Sequence, residues 1–293
     1  MTTTPGARFR QAYENSPIMI PGVFNALVAR MAQQAGFAAA YQSGAALSAG
    51  LAAVPDVGLI SLTEFVDQGR YLAQAVDIPV ISDADTGFGE ALSVERTVHC
   101  FESAGIAGIH LEDQQLPKRC GHLSGKTLVS EREMSGKIKA AAAARNDPSF
   151  VLIARTDARA TEGFDAAVSR ARAYIEAGAD MIFPEALQTP EEFAQFAEAV
   201  EVPLMANMTE YGKSPLLSFT ELSQIGYRAV LFPVSMFRIA MNAVESGLRE
   251  LAAEGTQQGL LDRMQTRAEL YELLEYEGYD QRDRSYFGGS ATE

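Results

Sequence analysis

Residues 104–113, AGIAGIHLED, contain the pattern that decides the fold. An Ala-Gly pair comes first, a short apolar run follows, and the run ends in the carboxylates Glu112 and Asp113. Glycine readily takes the left-handed conformation that stops a helix. A near-continuous apolar run is typical of a strand that is buried on both faces of a parallel sheet. The stretch therefore predicts a helix end, a buried strand and a polar loop, in that order.

The same order recurs along the chain in both directions. Ala-Gly pairs also precede apolar runs at residues 35–36 and 177–178, and Ile-Gly does so at 225–226. Capping boxes of the form Ser/Thr-x-x-Glu predict helix starts at Ser61, Ser130, Thr189 and Ser218. The strand candidates are residues 18–24, 38–42, 78–82, 108–111, 150–154, 181–183, 203–206 and 229–232.

Eight strands that alternate with helices predict a (β/α)8 TIM-type barrel, and a doubly wound open sheet is the alternative. No linker rich in Pro, Gly or Ser interrupts the series, so residues 1–293 are interpreted as one domain. Beyond residue 232 the pattern becomes helical, at 236–255 and 260–276. Residues 236–293 are expected to form a mostly helical extension for subunit contacts, with a frayed end at 288–293.

Charge and composition exclude several classes of partner. The chain has 24 Lys and Arg against 38 Asp and Glu, a net charge of −14, which disfavours nucleic acids and anionic membranes. The uncharged stretch 31–55 consists mostly of Ala, Gly and Ser, which is typical of a packed interior and not of a membrane span. Two cysteines and an N-terminus without a secretory pattern favour a reduced, cytoplasmic protein.

Carboxylates follow two neighbouring strands of the predicted barrel. Asp83 and Asp85 lie two residues apart at the end of one strand, and Glu112 ends the next. Active sites of such barrels collect at the carboxyl ends of the strands. Three or more oxygen ligands suit Mg²⁺, or Mn²⁺ as an alternative. The competing interpretation, which the spacing leaves open, is that Asp83 and Asp85 cap the following helix.

A reactive cysteine is the second candidate feature. Cys120 lies in Lys118-Arg119-Cys120-Gly121-His122, where two cations and a histidine are expected to stabilise its thiolate. Glycine at 121 allows a close approach to a ligand. The alternative is an exposed basic loop with an incidental cysteine.

Cations on separate strand ends predict an anionic substrate. Lys118, Arg119, Arg155 and Arg238 lie on three such segments, which converge in a closed barrel. Because arginine binds carboxylates through a bidentate fork, this set suits a substrate with two or three carboxylates. The backbone amides of residues 43–45 are a further candidate carboxylate site. Ordinary surface ion pairing is the alternative for each cation.

The loop at residues 118–122 resembles the catalytic loop in the lyase branch of the isocitrate lyase/phosphoenolpyruvate mutase superfamily. Arg119 and the short chain both differ from true isocitrate lyases, and Ala45 stands where many relatives have glycine. Two later groups of motifs, ANMTEYG at 206–212 and EGTQ at 254–257 with MQTRAELY at 264–271, are similar to one short-chain lyase branch. Motifs of the family as a whole follow in order over nearly the whole chain: YQSG at 41–44, PD at 55–56, DADTGFG at 83–89, EDQ at 112–114, ARTDA at 154–158 and FPEA at 183–186.

This resemblance implies a lyase that breaks a carbon–carbon bond in a 2-hydroxy di- or tricarboxylate. Asp85 would hold Mg²⁺ directly, and Asp56, Asp83 and Glu112 would act through water. Cys120 would be the general acid, and Tyr41 or a metal-linked group the base. Lys118 and Arg119 belong to the catalytic loop, and Glu185 would order the site. Substrate carboxylates would be bound by Ser43, Gly44, Ala45 and Arg155 on one side and by Gly121, His122, Asn207 and Arg238 on the other.

The resemblance also implies a homotetramer in which C-terminal helices are exchanged between subunits. Related reactions stay open, because dimethylmalate cleavage and oxaloacetate hydrolysis occur in branches that share the Cys-Gly-His loop. The phosphonate mutase branch lacks that loop, which disfavours phosphorus–carbon chemistry. A barrel that only binds dicarboxylates is the non-enzymatic alternative.

Overall fold

Eight parallel strands form the centre of the computed structural model, which describes residues 3–123 and 125–287. Hydrogen bonds order them as β1-β8-β7 and β2-β3-β4-β5-β6, and parallel bridges Gly22–Tyr41 and Ile182–Leu204 connect the two sheets. Each strand thus has a neighbour on both sides, so the fold is a (β/α)8 TIM-type barrel and the open-sheet alternative is wrong. The strands are β1 (Ile18–Pro21), β2 (Ala40–Gln42), β3 (Val80–Asp83), β4 (Gly108–Glu112), β5 (Val151–Thr156), β6 (Met181–Pro184), β7 (Met205–Asn207) and β8 (Ala229–Phe232).

The helices around the barrel begin and end largely where the sequence predicts. Ser61 and Ser218 form complete capping boxes, whereas Ser130 and Thr189 accept a backbone N–H. The capping box at Thr189 is incomplete, because the Glu192 carboxylate accepts a hydrogen bond from the guanidinium of Arg159. The helices are α1 (Pro5–Asn15), α2 (Ala26–Gln34), α3 (Gly44–Ala52), α4 (Leu62–Ala75), α5 (Ala91–Ser103), α6 (Glu131–Ala144), α7 (Phe164–Glu176), α8 (Pro190–Ala199) and α9 (Phe219–Ile225).

Two apolar cores hold the barrel together. The larger lies between the strands and the surrounding helices, and the smaller fills the barrel itself. Phe9 and Tyr13 of α1 belong to the inner core together with Ile18, Ile153 and Met181. Helix α1 therefore packs against the interior residues of the strands, a contact that the repeating pattern did not predict.

The C-terminal part forms a second unit that begins at Arg238. It contains most of α10 (Ser235–Glu254), a 3₁₀ turn at Gln258–Arg263, α11 (Arg267–Leu273) and α12 (Tyr276–Tyr286). The uninterrupted helix predicted at 260–276 is wrong, because Thr266 and Glu269 start a new helix with their own capping box. The single-domain interpretation and the extension at 236–293 stay predictions, and the end at 288–293 lies outside the described residues.

Across the described ranges, no helix is both long and apolar enough to cross a membrane.

Candidate active site

Strand β3 ends in a bent segment that carries two carboxylates. Asp83 accepts hydrogen bonds from the backbone N–H of Asp85 (2.9 Å) and of Gly44 (3.2 Å). Asp85 has φ +46°, a left-handed conformation that aspartate tolerates better than most residues. The next helix, α5, begins only at Ala91 and has Glu90 at its N-cap. Asp83 and Asp85 therefore do not cap α5, although Asp83 accepts the N–H of Gly44, the first residue of α3.

A buried lysine lies between two of the predicted metal ligands. The Nζ atom of Lys118 is 2.6 Å from Asp56 Oδ1, and it also pairs with Asp85 Oδ1. Its side chain is only 2% exposed, so the exposed-basic-loop interpretation does not hold for this residue. Burial would lower the pKa of Lys118, but Asp85 and Glu112 outweigh it and raise that pKa well above its ordinary value. The lysine is therefore charged.

The carboxylates of Asp85 and Glu112 near Lys118 are buried, and the nearby positive charges do not fully compensate for their loss of water. Burial raises the pKa of Asp85 to about 7 and that of Glu112 well above its ordinary range. Both oxygens of Glu112 are buried without a hydrogen-bond partner among the described residues, although Arg155 Nη1 lies 3.2 Å from Oε2. Hard oxygen donors that gain from an added cation fit Mg²⁺.

In the described part of the chain, no three acidic, histidine or cysteine side chains converge as a metal-binding group. The Lys118 ammonium instead lies between Asp56 and Asp85, and its single positive charge offsets only part of their negative charge. The assignment of Asp56, Asp83, Asp85 and Glu112 as metal ligands stays a prediction.

Tyr41 and His110 form a buried pair inside the barrel mouth. Their Oη and Nε2 atoms are 2.8 Å apart, and Asp83 Oδ1 is 3.5 Å from the same nitrogen. Burial lowers the pKa of His110 to about 4, so the imidazole is neutral at pH 7. Burial and then Asp83 raise the pKa of Tyr41 well above its ordinary value. The phenol therefore keeps its proton, and the choice between Tyr41 and a metal-linked group as the base stays a prediction.

His110 is a site residue to which the sequence assigned no role. The sequence did contain a signal that His110 belongs to the site. His110 lies in β4 two residues before Glu112, and alternate residues of a strand point to the same face.

The loop after β4 lies directly against the ends of β5 and β6. A Cβ atom added at Gly121 would lie 2.4 Å from Arg155 Nη2 and 2.4 Å from Glu185 Cγ, so only glycine fits there. The Nε2 atom of His122 is 2.6 Å from Glu185 Oε1. Asn207 Nδ2 donates to Glu185 Oε2 at 3.1 Å. Four of the predicted site residues thus meet around Glu185.

Glu185 is held in its ionised form at the centre of this group. Burial would raise its pKa, but Arg155 and His122 outweigh burial and hold the pKa far below its usual range. A permanent negative charge can orient Arg155, His122 and Asn207 toward one point. This arrangement fits the predicted ordering role.

Cys120 differs from the sequence expectation in its ionisation. The residue is exposed, yet the surrounding protein desolvates the thiol and raises its pKa above the ordinary value. The expectation of a stabilised thiolate is therefore wrong. A thiol that keeps its proton at pH 7 suits a general acid.

Arg119, the neighbour of Cys120, is anchored through its backbone. Its N–H donates to Gln114 Oε1 at 2.9 Å, and its carbonyl accepts from Gln114 Nε2 at 2.8 Å. The buried side chain of Gln114 thereby fixes the start of the loop to the end of β4.

The small residues after β2 lie beside the carboxylates. Ser43 caps α3 by accepting the N–H of Ala46 at 3.3 Å. A Cβ atom added at Gly44 would lie 2.5 Å from Asp83 Oδ2, so the backbone approaches Asp83 closely. The amides of residues 43–45 therefore lie at the same end of the barrel as Lys118. Arg238 is the first residue of the second unit, and its role stays a prediction.

Comparison with known proteins identifies the family. Residues 9–252 match the family described as phosphoenolpyruvate phosphomutase. The chain belongs to this family. Within the family, it is 51% identical over 280 residues to a 2-methylisocitrate lyase of Aeropyrum pernix, covering 95% of this chain and 90% of the relative. It is 45% identical over 292 residues to a 2-methylisocitrate lyase of Escherichia coli, covering 99% of both chains.

Three solved structures share the fold. A crystal structure of 2,3-dimethylmalate lyase, a member of the phosphoenolpyruvate mutase/isocitrate lyase superfamily, has a TM-score of 0.92 and 34% identity over 100% of both chains. Oxaloacetate acetylhydrolase in complex with 3,3-difluorooxalacetate has a TM-score of 0.90 and 34% identity over 99% of both chains. Phosphonopyruvate hydrolase in complex with oxalate and Mg²⁺ has a TM-score of 0.88 and 34% identity, covering 97% of this chain and 99% of that one.

Proposed function

We propose that this chain is a Mg²⁺-dependent lyase that cleaves 2-methylisocitrate to pyruvate and succinate, as in propionate breakdown. The observation that carries the proposal is the position of the Cys120 loop, whose Gly121 lies so close to Arg155 and Glu185 that a side chain would not fit between them. The 2-methylisocitrate lyases similar to the chain, at 45% and 51% identity, support this substrate.

In this proposal Asp85 would hold Mg²⁺ directly, with Asp56, Asp83 and Glu112 acting through water. The metal would supply Lewis-acid stabilisation to the 2-hydroxyl oxygen and the adjacent carboxylate. Lys118, held between Asp56 and Asp85, would shift as the metal replaces its charge.

The protein's own residues would complete the reaction. A base, either Tyr41 or a metal-linked group, would take the proton of the 2-hydroxyl. The bond between C2 and C3 would then break, so that the hydroxyl oxygen forms the carbonyl of pyruvate and the electron pair of the broken bond moves onto the carbon that becomes part of succinate. Cys120 would then give its proton to that carbon, which agrees with its raised pKa. Arg155, His122 and Asn207 would hold substrate carboxylates, and Glu185 would keep all three oriented.

Arg155 is suited to bind a carboxylate because its orientation is already fixed. Its Nε and Nη2 atoms donate to Asp157 at 3.0 and 3.2 Å, and its Nη1 atom faces Glu112. A guanidinium that is held in place loses less entropy when it binds an anion.

The proposed tetramer would cover apolar side chains of the second unit. Ile239, Val244 and Leu248 of α10 are 63%, 52% and 61% exposed. Exposed apolar patches of this kind mark protein interfaces. Sedimentation equilibrium should give a mass four times that of the chain, and a monomer mass would contradict this part of the proposal.

A substrate panel tests the activity. We would incubate the purified protein with 2-methylisocitrate, isocitrate, 2,3-dimethylmalate or oxaloacetate, with Mg²⁺ or EDTA, and identify the products by NMR. The expected result is Mg²⁺-dependent pyruvate and succinate from 2-methylisocitrate. Preferential oxalate and acetate from oxaloacetate would contradict the proposal. Binding of dicarboxylates without turnover of any compound would support the non-catalytic alternative. The presence of Cys120 argues against that alternative, because a protein that only binds dicarboxylates does not need this thiol.

A further inference from the structure

A second buried lysine lies behind the Cys120 loop. The Nζ atom of Lys126 is 2.6 Å from Asp157 Oδ1, and it also donates to the carbonyl of Gly121. Its side chain is only 1% exposed. Lysine is almost never fully buried unless it is paired, because removing its charge from water is unfavourable. The two contacts therefore determine where this ammonium lies.

Asp157 is a fixed anchor for Lys126. Its carboxylate is fully buried and also accepts from Arg155 Nε at 3.0 Å and from Arg155 Nη2 at 3.2 Å. Its backbone N–H donates to Asp113 Oδ1 at 2.9 Å. Asp113 in turn accepts from the hydroxyl of Tyr174 at 2.8 Å, which ties the anchor to α7. Lys126 is thereby attached to the wall of the barrel.

The contacts of Lys126 close a ring through the proposed active site. Lys126 donates a hydrogen bond to the Gly121 carbonyl and pairs with the Asp157 carboxylate. The Asp157 carboxylate in turn accepts hydrogen bonds from Arg155. Gly121 in turn lies so close to Arg155 that a Cβ atom would be 2.4 Å from Nη2. Cys120 and His122 flank Gly121 in the chain, so fixing its carbonyl restricts both neighbouring side chains.

We propose that Lys126 is a positioning residue that holds the backbone of Gly121 in place and thereby aligns the Cys120 thiol with Arg155 and Glu185. The expected change in kcat rests on the proposed lyase function. The expected change in the position of the loop rests on the geometry alone. Lys126 itself contacts Asp157 and the Gly121 carbonyl and has no role in binding substrate.

Lys126→Met keeps much of the side-chain length and removes the charge. A misplacement of about 1 Å at a reacting group lowers the rate by about 10²-fold. We therefore expect kcat to fall by ~10- to 100-fold, and KM to rise as well, because the released loop also carries His122, which would bind a substrate carboxylate. Lys126→Arg, which keeps a cation and hydrogen-bond donors, should retain more activity than Lys126→Met.

Alkylation of Cys120 provides a readout that does not need turnover. Iodoacetamide labelling of the native protein would be followed by peptide mass spectrometry, with the half-buried Cys100 of α5 as an internal reference. Losing a hydrogen bond from a charged group changes the ratio of the held to the released conformation of the loop by about 10-fold. The ratio of Cys120 to Cys100 labelling should therefore change by about 10-fold in Lys126→Met and by less in Lys126→Arg.

Lys137→Met is the matched control. The Lys137 ammonium is also buried, but it contacts the carbonyl of Thr86 at 3.3 Å and not the Cys120 loop. This variant should lower the melting temperature without changing the labelling ratio. Circular dichroism would establish that each variant is folded before labelling.

The outcomes separate this inference from the proposed function. An unchanged labelling ratio in folded Lys126→Met, or wild-type kcat, would overturn the role of Lys126. A changed ratio in a protein that does not cleave 2-methylisocitrate would support the role of Lys126 in holding the loop and refute the proposed substrate. Equal ratio changes in Lys126→Met and Lys137→Met would show a general loss of packing and also overturn the inference.

Discussion

The contact at Gly121 leads to a quantitative prediction for Gly121→Ala. The added Cβ atom would lie 2.4 Å from both Arg155 Nη2 and Glu185 Cγ, whereas ordinary van der Waals contact begins at 3.4 Å. The loop or the two side chains must therefore move apart by about 1 Å. A misplacement of this size lowers kcat by about 10²-fold when it separates reacting groups. The fold should survive, since Gly121 lies in a loop outside both apolar cores.

The assay is steady-state pyruvate formation from 2-methylisocitrate at saturating Mg²⁺, with thermal unfolding measured on the same samples. Gly136→Ala is the matched control, because a Cβ atom at Gly136 in α6 has nothing within 4 Å. That control should keep its kcat and gain up to about 1 kcal/mol of stability from the better helix former. A kcat within about 3-fold of wild type for Gly121→Ala would refute the reasoning, because a contact this short cannot be accommodated without displacement.

Three further predictions concern the acid, the metal site and the buried network behind it. Cys120→Ser should lower turnover by about 10²-fold or more with an unchanged melting temperature, and near-normal turnover would remove the thiol from the mechanism. Gly44→Ala should push Asp83 away and raise the Mg²⁺ concentration for half-maximal activity by about 10-fold or more, as measured by Mg²⁺ titration; an unchanged titration curve would contradict this. Burial raises the pKa of Asp113 to about 6, so between about pH 4 and 6 the folded chain holds a proton that the unfolded chain releases. The contribution of Asp113 to the free energy of unfolding should fall as pH rises through that window, so Asp113→Asn should make the pH slope of that free energy more positive in urea titrations; equal slopes in both proteins would argue against it.

Much of the barrel could be predicted because its signals are local. Each predicted strand overlaps an observed one, and β8 was predicted with its observed bounds, Ala229–Phe232. Caps such as Ser61 depend on a residue only three positions away, so a short stretch of sequence contains all that they need. The break at Thr266 has the same local signal, a capping box of Thr266 and Glu269, and the helix predicted at 260–276 overlooked it.

The candidate site was predictable in its residue types and less so in its electrostatics. Sequence motifs that follow one another in the same order as in a known family identified the Cys120 loop and the carboxylates as candidate site residues. The direction of the pKa shift of Cys120 was predicted wrongly, because neighbouring cations in the sequence suggested a stabilised thiolate whereas burial dominates in the folded chain. The phenol of Tyr41 keeps its proton for the same reason.

The sequence by itself determined the alternation of helices and strands in the barrel, the acidic net charge and the residue types of the candidate site. The tertiary structure alone decided that Lys118 lies between Asp56 and Asp85, and that Lys126 joins Gly121 to Asp157. Secondary structure follows from backbone preferences and periodicity over a few residues. Burial and charge pairing instead depend on which distant segments the closed barrel brings together, and these contacts set the ionisation of the buried groups.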